Sequence, residues 1–377
     1  MDRALNNHSL ISGAKRIALI NPTKFLGNLL LAGGLIQQLS NWCQATDRSL
    51  LLVLDEGFAG LTDGAFPGVQ RVFYPRKALL PGAPQLAGLQ AWWRCVRAIR
   101  AFEADLAFTI EEDSVCHRLT HFSGARCKVS STVHRYHWGF DHVLDIPRSG
   151  RDPAQASIWF SVRDVLQALG VPVSGPPAYL QLPYAPAQQD ASDWLASLGL
   201  QTGKPLLLIH AGASKTYKQW PLASFVSVAL IALNHGYQVV LIGAGKADQA
   251  INQQLTGMLR AAQPDTGDCH DLCNRLDLVG LVQLMRHARR IIGNDSGPSH
   301  LASALGIPGV VIFGPTDIGV WRPLSPVTRV LEHKHACASD CSRHHCQYGY
   351  RCLSGIQPDE AIQALALESD SISISTR

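Results

Sequence analysis

The chain has 377 residues, of which 46% are hydrophobic and 16% are charged, and its formal net charge is +4. This charged fraction is well below the roughly 25% of an average soluble protein, which together with the apolar content excludes a disordered chain. The small net charge also argues against a polybasic nucleic-acid-binding protein, so no nucleic acid is expected as a partner. At about 100 to 200 residues per domain, the length predicts two domains.

In the first half, short β-rich apolar runs alternate with helical patterns. Residues 16–21 (RIALIN) predict a strand, followed by a turn that contains Gly27 and by an apolar helix. Further strands are predicted at residues 51–54 and 105–110. Strands that alternate with helices indicate parallel βαβ units.

The second half repeats this plan after a Pro- and Gln-rich linker at residues 183–189. Strands are predicted at residues 205–210, 238–242, 290–293 and 309–313, and helices at residues 222–234 and 282–288. The predicted fold is therefore α/β, with two Rossmann-like doubly wound domains that face a central cleft. In such sheets, ligands bind outside the carboxyl ends of the strands.

This plan divides the chain into three parts. Residues 1–185 are assigned to an N-terminal domain and residues 186–355 to a C-terminal domain. Residues 356–377 are predicted to be a C-terminal helix and a flexible tail.

Neither a membrane-spanning segment nor a secretion signal is predicted. The longer apolar stretches, such as residues 29–36, are less than half of the roughly 18 to 20 residues that a transmembrane helix needs. Residues 1–14 lack the apolar centre of a signal peptide. We therefore expect a cytoplasmic protein whose ten cysteines are thiols rather than disulfides.

The sharpest motif is residues 293–305, GNDSGPSHLASAL, in which a strand end, Gly297 and the start of a helix follow one another. Free N–H groups and the positive end of a helix dipole form an anion site there, suited to a diphosphate. The alternative is an ordinary helix cap in which Asp295 accepts hydrogen bonds from the helix backbone.

A second candidate segment is residues 210–221, HAGASKTYKQWP, which leaves a strand through small residues such as Gly212. It places Ser214 and Lys218 beyond the strand end, where hydroxyl and ammonium groups suit phosphate oxygens. The alternative is a solvated loop without a ligand. A third small-residue turn, GAG, begins at Gly243 and is by itself weak support for a nucleotide site.

Together, these motifs resemble the donor domain of glycosyltransferase family 9, the ADP-heptose:lipopolysaccharide heptosyltransferases. The resemblance is carried by K-x-W-P at residues 218–221, N-D-S-G-x-x-H-L-A-x-A-L at residues 294–305, F-G-P-T-D at residues 313–317 and W-R-P at residues 321–323. It extends over roughly residues 15–365 and implies a GT-B fold, with the acceptor on the N-terminal domain and the ADP-sugar on the C-terminal domain. It also implies inverting transfer of heptose to a lipopolysaccharide core without a metal ion or other cofactor.

The resemblance also implies roles for individual residues. Lys218 would contact the donor's phosphate or sugar and stabilise the leaving diphosphate, which needs no cation if helix N–H groups assist. The implied donor-binding residues are Gly212, Ser214, Lys218, Gly243, Asp295, Ser296, Gly297 and His300, and the implied acceptor-binding residues are Lys24, Gly27 and Asn28.

One residue departs from the family pattern, since Asn28 stands where the family turn normally has the aspartate that acts as general base. A carboxamide cannot accept the proton. Three carboxylates that follow a predicted strand are candidate bases: Glu111, Glu112 and Asp113. The alternative interpretation is that these residues form a solvated acidic turn without a catalytic role. Asn28 either holds the acceptor hydroxyl or caps the helix after Gly27.

This departure leaves two alternative functions open. One is a family relative that uses another nucleotide sugar, because the motifs indicate a diphosphate more clearly than a base or a sugar. The other is a catalytically impaired module that binds a sugar nucleotide.

Four cysteines near the C-terminus, Cys337, Cys341, Cys346 and Cys352, are close enough in sequence for a structural metal site. They lack the paired C-x-x-C of the usual zinc sites, so free thiols in a compact loop are favoured.

The positive charge is concentrated in the first half. Residues 1–185 contain 18 basic and 14 acidic side chains, and residues 186–377 contain 15 of each. Residues 64–102 have no acidic side chain, and Leu89, Trp92, Val96 and Ile99 recur there at helical spacing. Such a helix suits an anionic membrane or a phosphorylated glycolipid, which predicts a peripheral location on the cytoplasmic face of the inner membrane. The alternative is a helix that packs its apolar stripe on the sheet while the arginines face water.

Overall fold

The computed structural model describes residues 10–111, 113–130, 139–144, 146, 152–183, 191–264, 267–333 and 346–367. The chain divides into two compact units, Met1–Pro183 and Tyr184–Arg377. Each unit is built on one parallel sheet of six strands.

In the first unit, the strands are β1 (Arg16–Ile20), β2 (Ser49–Asp55), β3 (Gln70–Tyr74), β4 (Leu106–Phe108), β5 (Cys127–Ser130) and β6 (His142–Val143). Their spatial order is β3-β2-β1-β4-β5-β6. The helices of this unit are α1 (Leu26–Ala45), α2 (Gln85–Ala101), α3 (Ser114–Phe122) and α4 (Ile158–Leu169). The strand order reverses between β1 and β4, which is where such sheets bind ligands.

In the second unit, the strands are β7 (Leu206–His210), β8 (Gln238–Leu241), β9 (Cys269–Asp271), β10 (Ala288–Asn294), β11 (Gly309–Phe313) and β12 (Thr328–Glu332). The helices are α5 (Ala191–Ser197), α6 (Leu222–Asn234), α7 (Gly245–Ala262), α8 (Leu278–Arg286), α9 (Gly297–Ala304), α10 (Ile318–Trp321), α11 (Arg351–Ser354) and α12 (Pro358–Leu365). The order β12-β11-β10-β7-β8-β9 reverses between β7 and β10, so the second unit repeats the plan of the first.

The central strands are buried along most or all of their length because helices cover both faces of each sheet. All five residues of β7 and all five of β11 are buried. Such strands appear in the sequence as continuous apolar runs, which is why they were predicted correctly. The predicted helix at residues 282–288 is wrong in its bounds: α8 begins four residues earlier, where Asp277 accepts a hydrogen bond from the Gly280 N–H, and residue 288 already belongs to β10.

The C-terminal helix is part of the second unit's core. Ala361 and Leu365 on α12 are buried in the same apolar cluster as Trp220 and Phe225. The helix therefore packs on the sheet of the second unit, and the tail predicted after it lies mostly outside the described residues.

Within the described ranges, no helix has both the length and the apolar content that crossing a membrane requires. The eight cysteines in that part of the chain are all free thiols. Cys337 and Cys341 lie outside it.

Candidate functional site

In the second unit, Asn294 fixes the loop between β7 and α6 to the end of β10. Its Nδ2 donates to the Ala211 carbonyl at 2.8 Å, and its Oδ1 accepts from the Trp220 N–H at 3.0 Å. The Trp220 ring is fully buried, and its Nε1 donates to the Ile356 carbonyl at 3.1 Å. Because both ends of the loop are held in this way, Lys218, two residues before Trp220, has a defined position beside β10.

Lys218 forms an ion pair with Asp295, the residue directly after β10. The Lys218 Nζ lies 2.6 Å from the Asp295 Oδ2, and the two side chains are 18% and 4% exposed. The interpretation of Asp295 as a helix cap is wrong, because its carboxylate is bound by Lys218 and the N-cap of α9 is Ser296, which makes no side-chain capping bond. The predicted residues Lys218, Asp295, Ser296 and Gly297 are thus adjacent at the amino end of α9.

His210, the last residue of β7, connects Ser296 to Asp248. Its Nδ1 lies 3.0 Å from the Ser296 Oγ and its Nε2 lies 3.3 Å from the Asp248 Oδ2. Asp248 is in the first turn of α7 and also accepts from the Ala244 N–H at 2.9 Å. Although burial raises its pKa, the bond with His210, the histidine's charge and the Ala244 N–H together hold the pKa of Asp248 below its ordinary value.

Two of the predicted donor-binding glycines leave room for Asp248. A Cβ atom added at Gly212 would collide with the Asp248 carboxylate, and one added at Gly243 would lie 2.7 Å from the Asp248 Cβ. Their small size is therefore explained by a neighbouring side chain, and a direct approach to a ligand is not needed to account for it. Neither His210 nor Asp248 was among the sequence-predicted site residues.

The remaining predicted donor residues differ in environment. Ser214 is exposed on the loop after β7, whereas His300 on α9 is 4% exposed. Burial lowers the pKa of His300 to about 4. The charge of Lys218 also lowers this pKa, whereas the charge of Asp295 raises it. His300 is therefore neutral at physiological pH.

This burial predicts a pH-dependent stability. In the unfolded chain, a histidine takes up a proton near pH 6.5, whereas folded His300 stays neutral down to about pH 4. The free energy of unfolding should therefore fall as the pH decreases from 6.5 to 4, by up to about 3 kcal/mol for this residue alone. Urea unfolding at several pH values should show a shallower decline for His300→Gln than for the wild type, and equal slopes would contradict the assignment.

In the first unit, Asn28 donates a hydrogen bond from Nδ2 to the Glu111 Oε1 at 2.9 Å. The two residues are 6% and 8% exposed, and they follow β1 and β4, the strands between which the order reverses. The predicted turn at Gly27 is wrong, because α1 begins at Leu26. Asn28 is also not the helix cap, since that position is Phe25.

The three predicted carboxylates after β4 have different environments. Asp113 caps α3, where its Oδ1 accepts from the Val115 N–H at 2.7 Å. Glu112 lies outside the described residues. Of the three, Glu111 is the one that the described structure joins to Asn28.

Two basic residues lie near these strand ends. Lys24, predicted to bind the acceptor, is exposed and its Nζ lies 5.1 Å from the centre of the Phe25 ring. Arg76, just after β3, pairs with Asp55 and donates from Nη2 to the Pro22 carbonyl at 2.6 Å. In the sequence, Arg76 stood out only as one of the basic residues of the segment 64–102, which has no acidic side chain.

The described residues hold no group of three or more histidine, cysteine or acidic side chains placed to bind a metal ion. Of the four C-terminal cysteines, Cys352 is buried in the apolar core, and the Cys346 Sγ accepts from the Tyr350 N–H at 3.3 Å.

Two parallel sheets of the same strand order, each with polar side chains at its switch point, are the architecture of a GT-B glycosyltransferase. Residues 92–350 match the family model described as glycosyltransferase family 9 (heptosyltransferase). This match covers more than half of the chain, so the protein belongs to glycosyltransferase family 9. The family and the GT-B fold predicted from the sequence are therefore confirmed.

Individual relatives agree with this assignment. The lipooligosaccharide heptosyltransferase 2 of Campylobacter jejuni is 28% identical over 168 residues, 44% of this chain and 52% of the relative. The chain spans about half the length of the first curated relatives it matches. The structure of ADP-heptose LPS heptosyltransferase II from Escherichia coli has a TM-score of 0.71 at 18% identity, covering 95% of this chain and 100% of that one.

A third relative bears on metal content. TibC, an iron-containing dodecameric glycosyltransferase from enterotoxigenic Escherichia coli, has a TM-score of 0.57 at 15% identity. The match covers 95% of this chain and 77% of TibC. At these identities, the similarity to solved structures shows the fold alone.

Proposed function

We propose that the protein is an inverting glycosyltransferase that moves heptose from ADP-heptose to a phosphorylated glycolipid of the lipopolysaccharide core. The observation that carries the proposal is the Lys218–Asp295 ion pair at the amino end of α9, at the switch point of the second sheet. The names of the relatives support heptose as the sugar and ADP as the nucleotide.

The donor end of the reaction needs stabilisation of the diphosphate that leaves. Lys218 supplies one positive charge, and the amino end of α9 supplies N–H groups and the positive end of a helix dipole. Asp295 would repel a phosphate, so its carboxylate is suited to accept hydrogen bonds from hydroxyl groups of the sugar. With Lys218 on the diphosphate and Asp295 on the sugar hydroxyls, the pair would hold both parts of the donor, and this arrangement needs no metal ion.

The acceptor end needs a base. We assign this role to Glu111, because Asn28 has no group that can take up a proton. Asn28 holds one carboxylate oxygen of Glu111 by a buried hydrogen bond of 2.9 Å, which makes Asn28 a positioning residue. Glu111 takes the proton from the acceptor hydroxyl while the oxygen of that hydroxyl bonds to the anomeric carbon of the donor sugar. The bond from that carbon to the diphosphate breaks at the same time, and ADP leaves with the electron pair. Attack on the face opposite ADP inverts the anomeric centre.

The acceptor is proposed to be anionic and held by the first unit. The charge surplus of the first half supports this proposal, as does the exposed ammonium group of Lys24 near the start of α1. A phosphorylated glycolipid would place the protein on the cytoplasmic face of the inner membrane.

Titration calorimetry in a buffer that contains EDTA tests the nucleotide and the absence of a metal together. We expect ADP to bind while UDP and GDP do not, and we expect the same ADP affinity with and without EDTA. Tight binding of UDP without ADP would overturn the heptose proposal in favour of another nucleotide sugar. Loss of binding in EDTA, or stoichiometric iron in the purified protein, would overturn metal independence.

Turnover separates an enzyme from an impaired binding module. We expect ADP to be released from ADP-heptose when truncated lipopolysaccharide cores are added. Binding of ADP-heptose without turnover on any truncated core would favour the module.

A further inference from the structure

Helix α2 has two apolar faces, and only one of them packs on the sheet. Cys95, Val96 and Ile99 are buried in the core of the first unit. Leu86 and Leu89 are 69% and 54% exposed. Of the apolar stripe predicted from the sequence, Trp92, Val96 and Ile99 pack on the core, whereas Leu89 is exposed.

Aromatic side chains of α2 and α3 lie on the same exposed side. Trp93 is 42% exposed and Phe122, at the end of α3, is 39% exposed. Their ring centres are 6.4 Å apart, and Trp92 lies edge-on to both, at 4.9 Å from Trp93 and 5.4 Å from Phe122. We define the outer apolar face as Leu86, Leu89, Trp93 and Phe122. It contains four of the nine large hydrophobic side chains that the described residues expose.

The surroundings of this face are basic. Arg94 and Arg97 are exposed and line one open pocket together with Leu89 and Trp93. Helix α2 itself carries three arginines, Arg94, Arg97 and Arg100, and no acidic side chain. Leucine and tryptophan beside arginines, without a carboxylate, match the headgroup layer of an anionic membrane, in which indole rings lie at the polar boundary and guanidinium groups contact phosphates.

We propose that the outer apolar face docks the protein onto an anionic lipid bilayer, with Arg94 and Arg97 contacting lipid phosphates. A second copy of the chain is a poorer occupant, because two-fold pairing of this face would bring the arginines of both copies together. The inference deepens the proposed function by naming the surface that meets the membrane. Docking requires neither donor nor transfer, so it can fail or succeed independently of that function.

Vesicle sedimentation of the full chain, without nucleotide or acceptor, tests the proposal. Wild type should bind vesicles of phosphatidylethanolamine and phosphatidylglycerol, bind phosphatidylcholine vesicles much more weakly, and lose affinity as the salt concentration rises. The variant Leu86→Gln/Leu89→Gln should lose about tenfold or more in affinity, and so should Arg94→Glu/Arg97→Glu.

Two controls identify the source of any loss. Met258→Gln changes a side chain of the second unit that is 39% exposed and should bind vesicles like wild type. Each variant should keep the wild-type melting temperature and ADP affinity, because the changed side chains are exposed. Equal vesicle binding by wild type and Leu86→Gln/Leu89→Gln would overturn the proposal, as would no binding by wild type. A dimer that is present in wild type and lost in this variant would overturn it in favour of a second copy of the chain.

Discussion

Glu111→Gln is expected to lower kcat by about 10²- to 10⁴-fold, the usual contribution of a positioned general base. Glutamine keeps the size of the side chain and an oxygen that can accept from the Asn28 Nδ2, so the buried contact at 2.9 Å is retained. Only the ability to take up a proton is removed. Steady-state kinetics with ADP-heptose and a truncated core acceptor, together with calorimetry of ADP, would show a loss in turnover with donor affinity unchanged.

Asp113→Asn is the matched control for Glu111→Gln. Asp113 caps α3 through the Val115 N–H, so its loss should affect stability by at most about 1 kcal/mol and leave turnover close to that of wild type. If Asp113→Asn loses turnover and Glu111→Gln does not, the base has been assigned to the wrong carboxylate.

Asn28→Asp gives an independent readout of the same contact. It should keep activity, because the new carboxylate can itself take up the acceptor proton. Two carboxyl groups at hydrogen-bonding distance favour sharing a proton, so the acidic limb of the pH profile of kcat should move to higher pH. A complete loss of activity would instead show that the amide of Asn28 is needed.

Lys218→Met is expected to have the second large effect. Loss of the ammonium group should lower kcat/KM by about 10²- to 10³-fold, because the leaving diphosphate is no longer stabilised. It should also cost stability, by about 3 to 5 kcal/mol at most, since it leaves the Asp295 carboxylate buried without its partner. Denaturant unfolding and steady-state kinetics measure the two effects separately.

A second substitution separates stability from chemistry. Lys218→Met/Asp295→Asn should recover much of the stability, because the unpaired buried charge is gone, but it should not recover transfer. Lys215→Met, on the exposed part of the same loop, is the control and should retain most of the activity. Recovery of transfer in the double variant would show that Lys218 serves only to neutralise Asp295.

The sequence predicted the centres of both sheets but not their edges. Central strands such as β7 are buried on both faces, and β7 is accordingly apolar except for His210 at its end. The edge strand β3 has one buried residue, Tyr74, and β9 has none, so neither forms the continuous apolar run that marks a central strand. The family resemblance located the donor motifs, because each lies within a few consecutive residues.

What the sequence did not predict are contacts between distant segments. Lys218 and Asp295 were both named, but their pairing joins positions 77 apart, and the bond between Asn28 and Glu111 joins positions 83 apart. His210 and Asp248 were missed for the same reason. These contacts depend on the order of the strands in each sheet. That order places the end of β1 beside the end of β4, and the end of β7 beside the end of β10.

The position of the outer apolar face on α2 affects how a lipid acceptor would reach the first unit. Leu86, Leu89 and Trp93 lie along the axis of the helix, over about 10 Å at 1.5 Å per residue, so the helix would rest lengthwise on the bilayer. In a βαβ unit, the helix runs roughly antiparallel to the strands it connects. The strands would then lie roughly parallel to the membrane plane. The strand ends at which Asn28 and Glu111 lie would face along the headgroup layer. An acceptor anchored in the lipid would enter by lateral diffusion, without leaving the bilayer.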